Sequence, residues 1–490
     1  MKGSDMSEET GSSKTAKGIG LFGLIGLVVS SCIGTGVFAL TGQLASVASP
    51  GGILISWFVV GLGFLCLAFS LNNLMVKRPD VNNVYAYATE GFGPFTGFLS
   101  GWGYWFSAWC GNIAFATVLA STLGYFIPYF LPGNNIGSIL MGSVVTWLLV
   151  LLVIRGIESA SFLNALIMII KVAALVMFCV FGIALFNAGI FTADFWGNIH
   201  DAAVAAGSTG KDAVSFGSVA NQITNCLITM MWVFIGIEGA SVVTKRARKR
   251  EQAGVATIIG LLIVLVVYLG VSLLPYGYMS YIEVAKQPYP ALLYVFEQMA
   301  PGWGGAFISI AMLISGFGCW LSFTLLPAEV TKDMASDKLL GSWWGQLNKN
   351  NAPAHSLIVV GLCAQIFLIT LLFSGDAYNF ALSMCTITIA ITWFLAAAYQ
   401  VKLSYQRHET GQLVVGLIAA AFIAYGTIIS GWSYLLLSCL GYIPGIIFYV
   451  LGRKEQNLSS FTKRDYLLIA GICVGAVAAV ALLLVGIITI

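Results

Sequence analysis

Charge is the first thing this chain lacks. Asp, Glu, Lys and Arg make up 9% of its 490 residues, against roughly 25% in a soluble domain. A water-soluble fold is thereby excluded. Histidine is nearly absent too, with only His200, His355 and His408, scattered in or beside loops. That spacing excludes a histidine metal site. The ten cysteines form no C-x-x-C pair and all sit in apolar stretches, which excludes a disulfide framework or a zinc ribbon and leaves them as small packing residues. No H-E-x-x-H or G-x-S-x-G motif occurs, and no loop is long enough for a soluble domain. The chain is therefore expected to be no enzyme and to need no cofactor and no metal.

What is present is apolar. The hydrophobic share is 59% and the mean hydropathy +0.91. A helix needs about 20 apolar residues to cross the hydrocarbon. Thirteen stretches qualify or nearly do, from 19–40 to 466–490, with the fourth (136–154) and ninth (356–373) short and the third (95–129) long. The fold class is an all-α membrane protein of about 13 transmembrane helices. All but three of the 23 Lys and Arg residues fall on one side of that arrangement. The three are Lys171 within the fifth span and Lys211 and Lys286 on the opposite side. The positive-inside rule puts the basic side in the cytoplasm. The N-terminus is then cytoplasmic, the C-terminus outside, and 1–17 a polar, disordered cytosolic tail. The loop 187–218 should pack loosely over the outer mouth, and Trp343-Trp344 should mark an interfacial segment. Glu329 and Lys332 read as gate or surface charges, Asp376 as an outer-face cap, and the basic run 245–250 as a topology signal.

Two spans carry breaks. In the sixth, Glu238 follows Trp232-Val233-Phe234-Ile235-Gly236-Ile237. An acid at mid-bilayer costs at least about 2.5 kcal/mol and usually faces a cavity. Glycine weakens a helix by up to about 1 kcal/mol relative to alanine, and here Gly236 and Gly239 bracket the acid. In the first span, Gly34-Thr35-Gly36 frees backbone N–H groups at a restarting helix, whose N-terminus carries partial positive charge. Thr35 and Gly36 suit a carboxylate. Carbonyls around Trp232 and Ile235 suit an ammonium group. Together the breaks describe a receptor for a free amino acid, and interrupted helices in corresponding halves point to an inverted-repeat transporter.

The segments Gly34-Thr35-Gly36-Val37-Phe38, Gly101 through Asn112 (GWGYWFSAWCGN) and Trp232 through Ser241 resemble those of the basic amino acid/polyamine antiporters of the amino acid–polyamine–organocation superfamily. Phe191-Thr192-Ala193-Asp194 and Tyr434-Leu435-Leu436-Leu437-Ser438 are similar to its arginine–ornithine branch. The resemblance covers nearly the whole chain. It implies a leucine-transporter-type fold and sodium-independent exchange. Residues 18–188 would form the first inverted repeat, 189–218 the external loop, 219–401 the second repeat, and 402–490 the extra C-terminal helices. It further implies that the carbonyls of Cys32, Trp232 and Ile235 hold the substrate amine and that Thr35 and Gly36 hold its carboxylate. Ser107, Ala108 and Asn112 would line the side-chain pocket, Tyr104 and Trp232 would gate it, and Glu238 would couple gating to protons.

The family's arginine-binding members carry tryptophan where this chain has Phe323. Cation–π attraction is weaker over phenylalanine, which favours a histidine/histamine or other amino acid/decarboxylation-product exchanger as the alternative to arginine/ornithine exchange. Lys171 stands where sodium-dependent relatives bind a cation, and its ammonium could donate to carbonyls freed at the first break. With Glu238 it favours a second alternative, proton-coupled symport. A transport-inactive nutrient sensor would more naturally carry a cytosolic domain. The expected partners are amino acid and amine substrates and membrane lipid, with no nucleic acid. Pairing with a second copy stays open, and the expected location is the plasma membrane.

Overall fold

The computed structural model describes residues 20–81, 83–156, 161–197, 218–239, 248–249, 251–373, 377–429 and 431–488, and every regular element among them is helical. The chain runs through α1 (Leu21–Cys32), α2 (Gly36–Ala45), α3 (Pro50–Lys77), α4 (Val84–Phe92), α5 (Pro94–Leu123), α6 (Ile136–Ile154) and α7 (Ser161–Ala184). Next come α8 (Ala188–Thr192), α9 (Val219–Trp232), α10 (Glu251–Leu273), α11 (Tyr281–Ala285), α12 (Ala291–Met299) and α13 (Gly304–Ser336). It closes with α14 (Ser342–Gly345), α15 (Ala354–Thr370), α16 (Ala377–Gln406), α17 (Thr410–Ile429), α18 (Trp432–Glu455) and α19 (Asp465–Leu484).

Ten of these helices are long and apolar enough to cross a bilayer, and the pair α1/α2, bent by 47° at its break, makes an eleventh. Two expected spans are shorter. The fourteen-residue α9 stops at Trp232, and α15 has 17 residues. A count of thirteen thus rests on taking both as spans. The third expected span ends at Leu123 rather than 129, because Gly124 takes its C-cap and Pro128 cannot donate to a continuing helix. The tenth runs six residues past its expected end, to Gln406. The tail 1–17, His200, Lys211, Asp376 and most of the basic run 245–250 lie outside the described residues.

Helices apolar all round belong inside a bundle. The α5 helix is buried along nearly its whole length, packed on α13 and α16. At the periphery, α19 leaves Leu467, Val474, Val477 and Leu484 exposed, as a lipid-facing helix must. Around the centre, α3 packs on α10, α6 on α15, and α1 on α10.

One face of the bundle gathers the basic ends. Lys77 pairs with Glu409, and Arg78 reaches Asp80 at 2.7 Å and Glu90 at 2.8 Å. Those two carboxylates hold the Arg78 proton more tightly than usual. Arg453 donates to the Lys338 carbonyl at 3.4 Å, and Tyr85 donates to Asp337 at 2.7 Å. Glu329 and Lys332 pair with each other one turn apart on α13. The Trp343-Trp344 segment forms the short α14, with Trp344 buried and Trp343 exposed. On the opposite face the start of the loop expected to be external is not loosely packed. Asn187 caps α8, Gly51 N–H donates to the Phe195 carbonyl at 2.8 Å, and Tyr281 donates to Asp194 at 2.6 Å.

Candidate functional site

The site begins with two failures of helical geometry. α1 ends at Cys32, Ile33 leaves the helical region at φ −75°, ψ 87°, and α2 starts at Gly36. The last carbonyls of α1 therefore have no intrahelical donor. Lys171 of α7 supplies one of the missing donors, its Nζ reaching the Ser30 carbonyl at 2.6 Å. A cation at a helix C-terminus is also favoured by the macrodipole. Cys319 Sγ of α13 lies 3.9 Å from the same Nζ and 3.7 Å from the Ile33 carbonyl.

The second break follows Trp232. Residues 233–238 form turns, and the described segment ends at Gly239. Gly236 has φ +107°, a region that suits glycine. A Cβ there would also sit 2.6 Å from the Ser31 carbonyl oxygen. The two breaks thus touch backbone to backbone, which no other residue type allows. Gly36 is similarly committed, since a Cβ on it would lie 2.4 Å from Trp232 Nε1.

A cavity of about 420 Å³ lies where the breaks meet. Tyr104, Ser107 and Ala108 of α5, Lys171, Phe323, Ile235 and Glu238 line it. Among the described residues, Glu238 is the only acid and Lys171 the only base in that lining. The carboxylate Oε2 of Glu238 accepts from the Gly236 N–H at 3.3 Å and from Trp393 Nε1 of α16 at 3.2 Å. The cavity reaches Phe22 and Gly23 at the exposed start of α1, on the face that holds the basic ends. Towards the other face it is blocked. Trp232 packs on Phe115 at 6.0 Å between centroids, and Phe115 meets Phe323 edge-on at 5.0 Å. Gln43 Nε2 bonds Asn379 Oδ1 at 2.9 Å. Beyond that bond, a separate hollow of about 360 Å³ is lined by Gln43, Tyr289, Tyr378 and Asn379, among others.

Five expected site residues stand behind the cavity wall rather than on it: Cys32, Thr35, Gly36, Asn112 and Trp232. The Cys32 carbonyl, expected to be bare, accepts from Gly34 N–H at 2.9 Å and from the Tyr268 hydroxyl at 2.7 Å. The Trp232 carbonyl accepts the Ile235 N–H at 3.1 Å. Thr35 Oγ1 is buried without a hydrogen-bond partner. Asn112 Nδ2 reaches the Phe323 carbonyl at 3.4 Å while its Oδ1 is buried and unpartnered. Buried polar atoms of this kind carry a desolvation cost of about 1–3 kcal/mol each, so they mark places where a polar ligand would be favoured.

Sequence reasoning missed Tyr268, Trp393, Ser30 and Cys319. Cys319 had a signal: it lies four residues before Phe323, on the same face of one helix. Tyr268 and Trp393 had none, because neither sits in or near a break.

The amino acid permease profile matches residues 19–450. The chain belongs to the amino acid permease family. Among similar permeases, the arginine/ornithine antiporter of Latilactobacillus sakei is 47% identical over 98% of this chain and 99% of its own length. The arginine/ornithine antiporter of Pseudomonas aeruginosa is 37% identical, covering 96% of this chain and 98% of its own length. The arginine/agmatine antiporter of Chlamydia pneumoniae is 31% identical, covering 92% and 94%. As an amino acid permease the chain is a multi-pass membrane protein, and its two breaks and their cavity are features of a carrier.

Proposed function

We propose that this permease is an antiporter of the plasma membrane that takes up an external basic amino acid in exchange for an internal relative, arginine for ornithine foremost. The observation that carries this reading is the cavity between the two breaks, open at one face and plugged at the other, with Glu238 and Lys171 in its wall. A carrier that exposes its site to one side at a time needs such an arrangement. The near full-length similarity to arginine/ornithine antiporters supports the choice of substrate.

In this reading Thr35 and Gly36 receive the carboxylate, the carbonyls at the breaks receive the amine, and Ser107, Ala108, Asn112 and Phe323 receive the side chain. These poles lie just behind the present wall, so substrate binding requires a rearrangement of α1 and the 233–238 turn that uncovers them. Tyr104 and Trp232 gate. Lys171 fixes the end of α1 in place of a metal cation. The basic face is cytoplasmic by the positive-inside rule, which makes the structure inward-open. The packing of α3 on α10 and of α6 on α15 supports two inverted repeats, 18–188 and 219–401, followed by the helices of 402–490.

A second reading, proton-coupled uptake, is favoured by Glu238, an acid at the cavity wall. The test is reconstitution: labelled arginine uptake into proteoliposomes with and without internal ornithine. Exchange predicts uptake that depends on ornithine inside. Equal uptake into empty vesicles, driven by a proton gradient, would replace antiport by symport.

A further inference from the structure

The Tyr268 hydroxyl of α10 joins the two breaks at a single atom. It lies 2.7 Å from the Cys32 carbonyl, at the end of α1, and 2.7 Å from the Val233 carbonyl, at the start of the second break. Both carbonyls lie where helical hydrogen bonding has failed. The ring beneath the hydroxyl is fully buried and held from several sides. It packs against Phe234 at 5.5 Å and Trp57 at 6.1 Å between centroids. One turn on, Ser272 Oγ donates to the Tyr268 carbonyl at 2.6 Å and itself accepts from Trp57 Nε1 at 2.7 Å. The hydroxyl therefore stands on a rigid base formed by α3 and α10.

We infer that Tyr268 is a positioning residue that sets the spacing between the first break, with Thr35 and Gly36 for the carboxylate, and the second, with the carbonyls of Trp232 and Ile235 for the amine. The inference rests on the exchange reading above. It adds a residue outside the cavity wall that determines how well a zwitterion fits. The physical reason is that neither break carries enough of its own hydrogen bonds to fix its place. Each is pinned by donors from elsewhere: α1 by Lys171, the second break by Trp393 through Glu238, and the two to each other by Tyr268. A hydroxyl offers one proton, so it is shared between two acceptors and pulls both towards a common point. Without it the two unwound segments, one held by Lys171 and the other by Trp393, lose the atom that ties them to each other, and a substrate whose charged groups have a fixed separation fits them less well.

The experiment uses the full-length protein in proteoliposomes loaded with ornithine, with labelled arginine outside. Tyr268→Phe removes the shared proton and keeps the ring. The expected result is a rise of about tenfold in the KM for arginine with Vmax within threefold of wild type. Replacing Tyr268 by p-aminophenylalanine, which keeps a neutral donor at the same place, is expected to return KM to within threefold of wild type. A Tyr268→Phe KM within threefold of wild type, a fall in Vmax alone, or a p-aminophenylalanine variant as poor as phenylalanine would overturn the inference. If Tyr268→Phe fails to assemble, the p-aminophenylalanine variant decides by the same threefold criterion. Absence of exchange in the wild type would instead refute the antiport reading.

Discussion

Trp393 Nε1 lies 3.2 Å from Glu238 Oε2 and donates to it, so the acid of the second break is tied to the fixed helix α16. Tryptophan offers a donor and no acceptor. The bond therefore serves Glu238 as a carboxylate acceptor, and the two residues should act as a unit. Glu238→Gln is expected to alter the pH dependence of exchange and slow turnover while retaining part of substrate binding. Trp393→Phe should slow turnover about tenfold. Residues in contact give non-additive effects, so the double variant should be within threefold of the slower single one. Turnover measured from pH 5 to 9 in proteoliposomes checks this. Effects that multiply, or an unchanged pH profile in Glu238→Gln, would remove the pair from coupling.

Phe323 lines the cavity and meets Phe115 edge-on at 5.0 Å. Tryptophan holds a guanidinium better by a fraction of a kcal/mol up to about 1 kcal/mol. Phe323→Trp should therefore lower the KM for arginine about threefold and leave ornithine less affected. Competition between the two substrates gives the ratio directly. Loss of both substrates would assign Phe323 to packing, because Gly111 already lies against its ring.

Gly236→Ala puts a methyl group 2.6 Å from the Ser31 carbonyl oxygen at φ +107°. Alanine at positive φ costs about 1 kcal/mol or more before any clash is counted. The variant should lose transport by at least a hundredfold and melt earlier in detergent. Gly411→Ala, which meets nothing within 4 Å, is the control and should be neutral. Normal exchange by Gly236→Ala would mean that the breaks do not need to touch.

On the face opposite the basic ends, Glu297 accepts from Gly302 N–H at 2.9 Å and Gly305 N–H at 2.7 Å, and Tyr125 adds a hydroxyl at 3.1 Å. The two backbone donors hold its carboxyl below the usual range. A lowered folded-state value contributes stability above the unfolded value and loses it as pH falls through the folded one. The unfolded value is near 4.3, so this contribution should fade below about pH 4. Melting curves of wild type and Glu297→Gln should converge there and separate at pH 7. Curves separated equally at both pH values would show that the charge is irrelevant.

The breaks could be read from the chain because glycine flanking an intramembrane acid has few structural uses, and Gly34-Thr35-Gly36 and Gly236 do coincide with them. Their depth beneath the cavity wall could not. It depends on how far α1 and the 233–238 turn stand from α5, a tertiary quantity with no local signature. Tyr268 and Trp393 were hidden for a related reason: in the sequence each is one more aromatic in an apolar helix, and only packing brings them to the breaks. The ends of α5 and α16 were misjudged because hydropathy continues past Gly124 and stops before Gln406, whereas backbone hydrogen bonding does the reverse.

The Gln43–Asn379 bond and the aromatic plug beside it close one mouth while the other stands open. Among the described residues the two hollows do not join. An exchanger built this way would move its cargo without opening a channel for small ions.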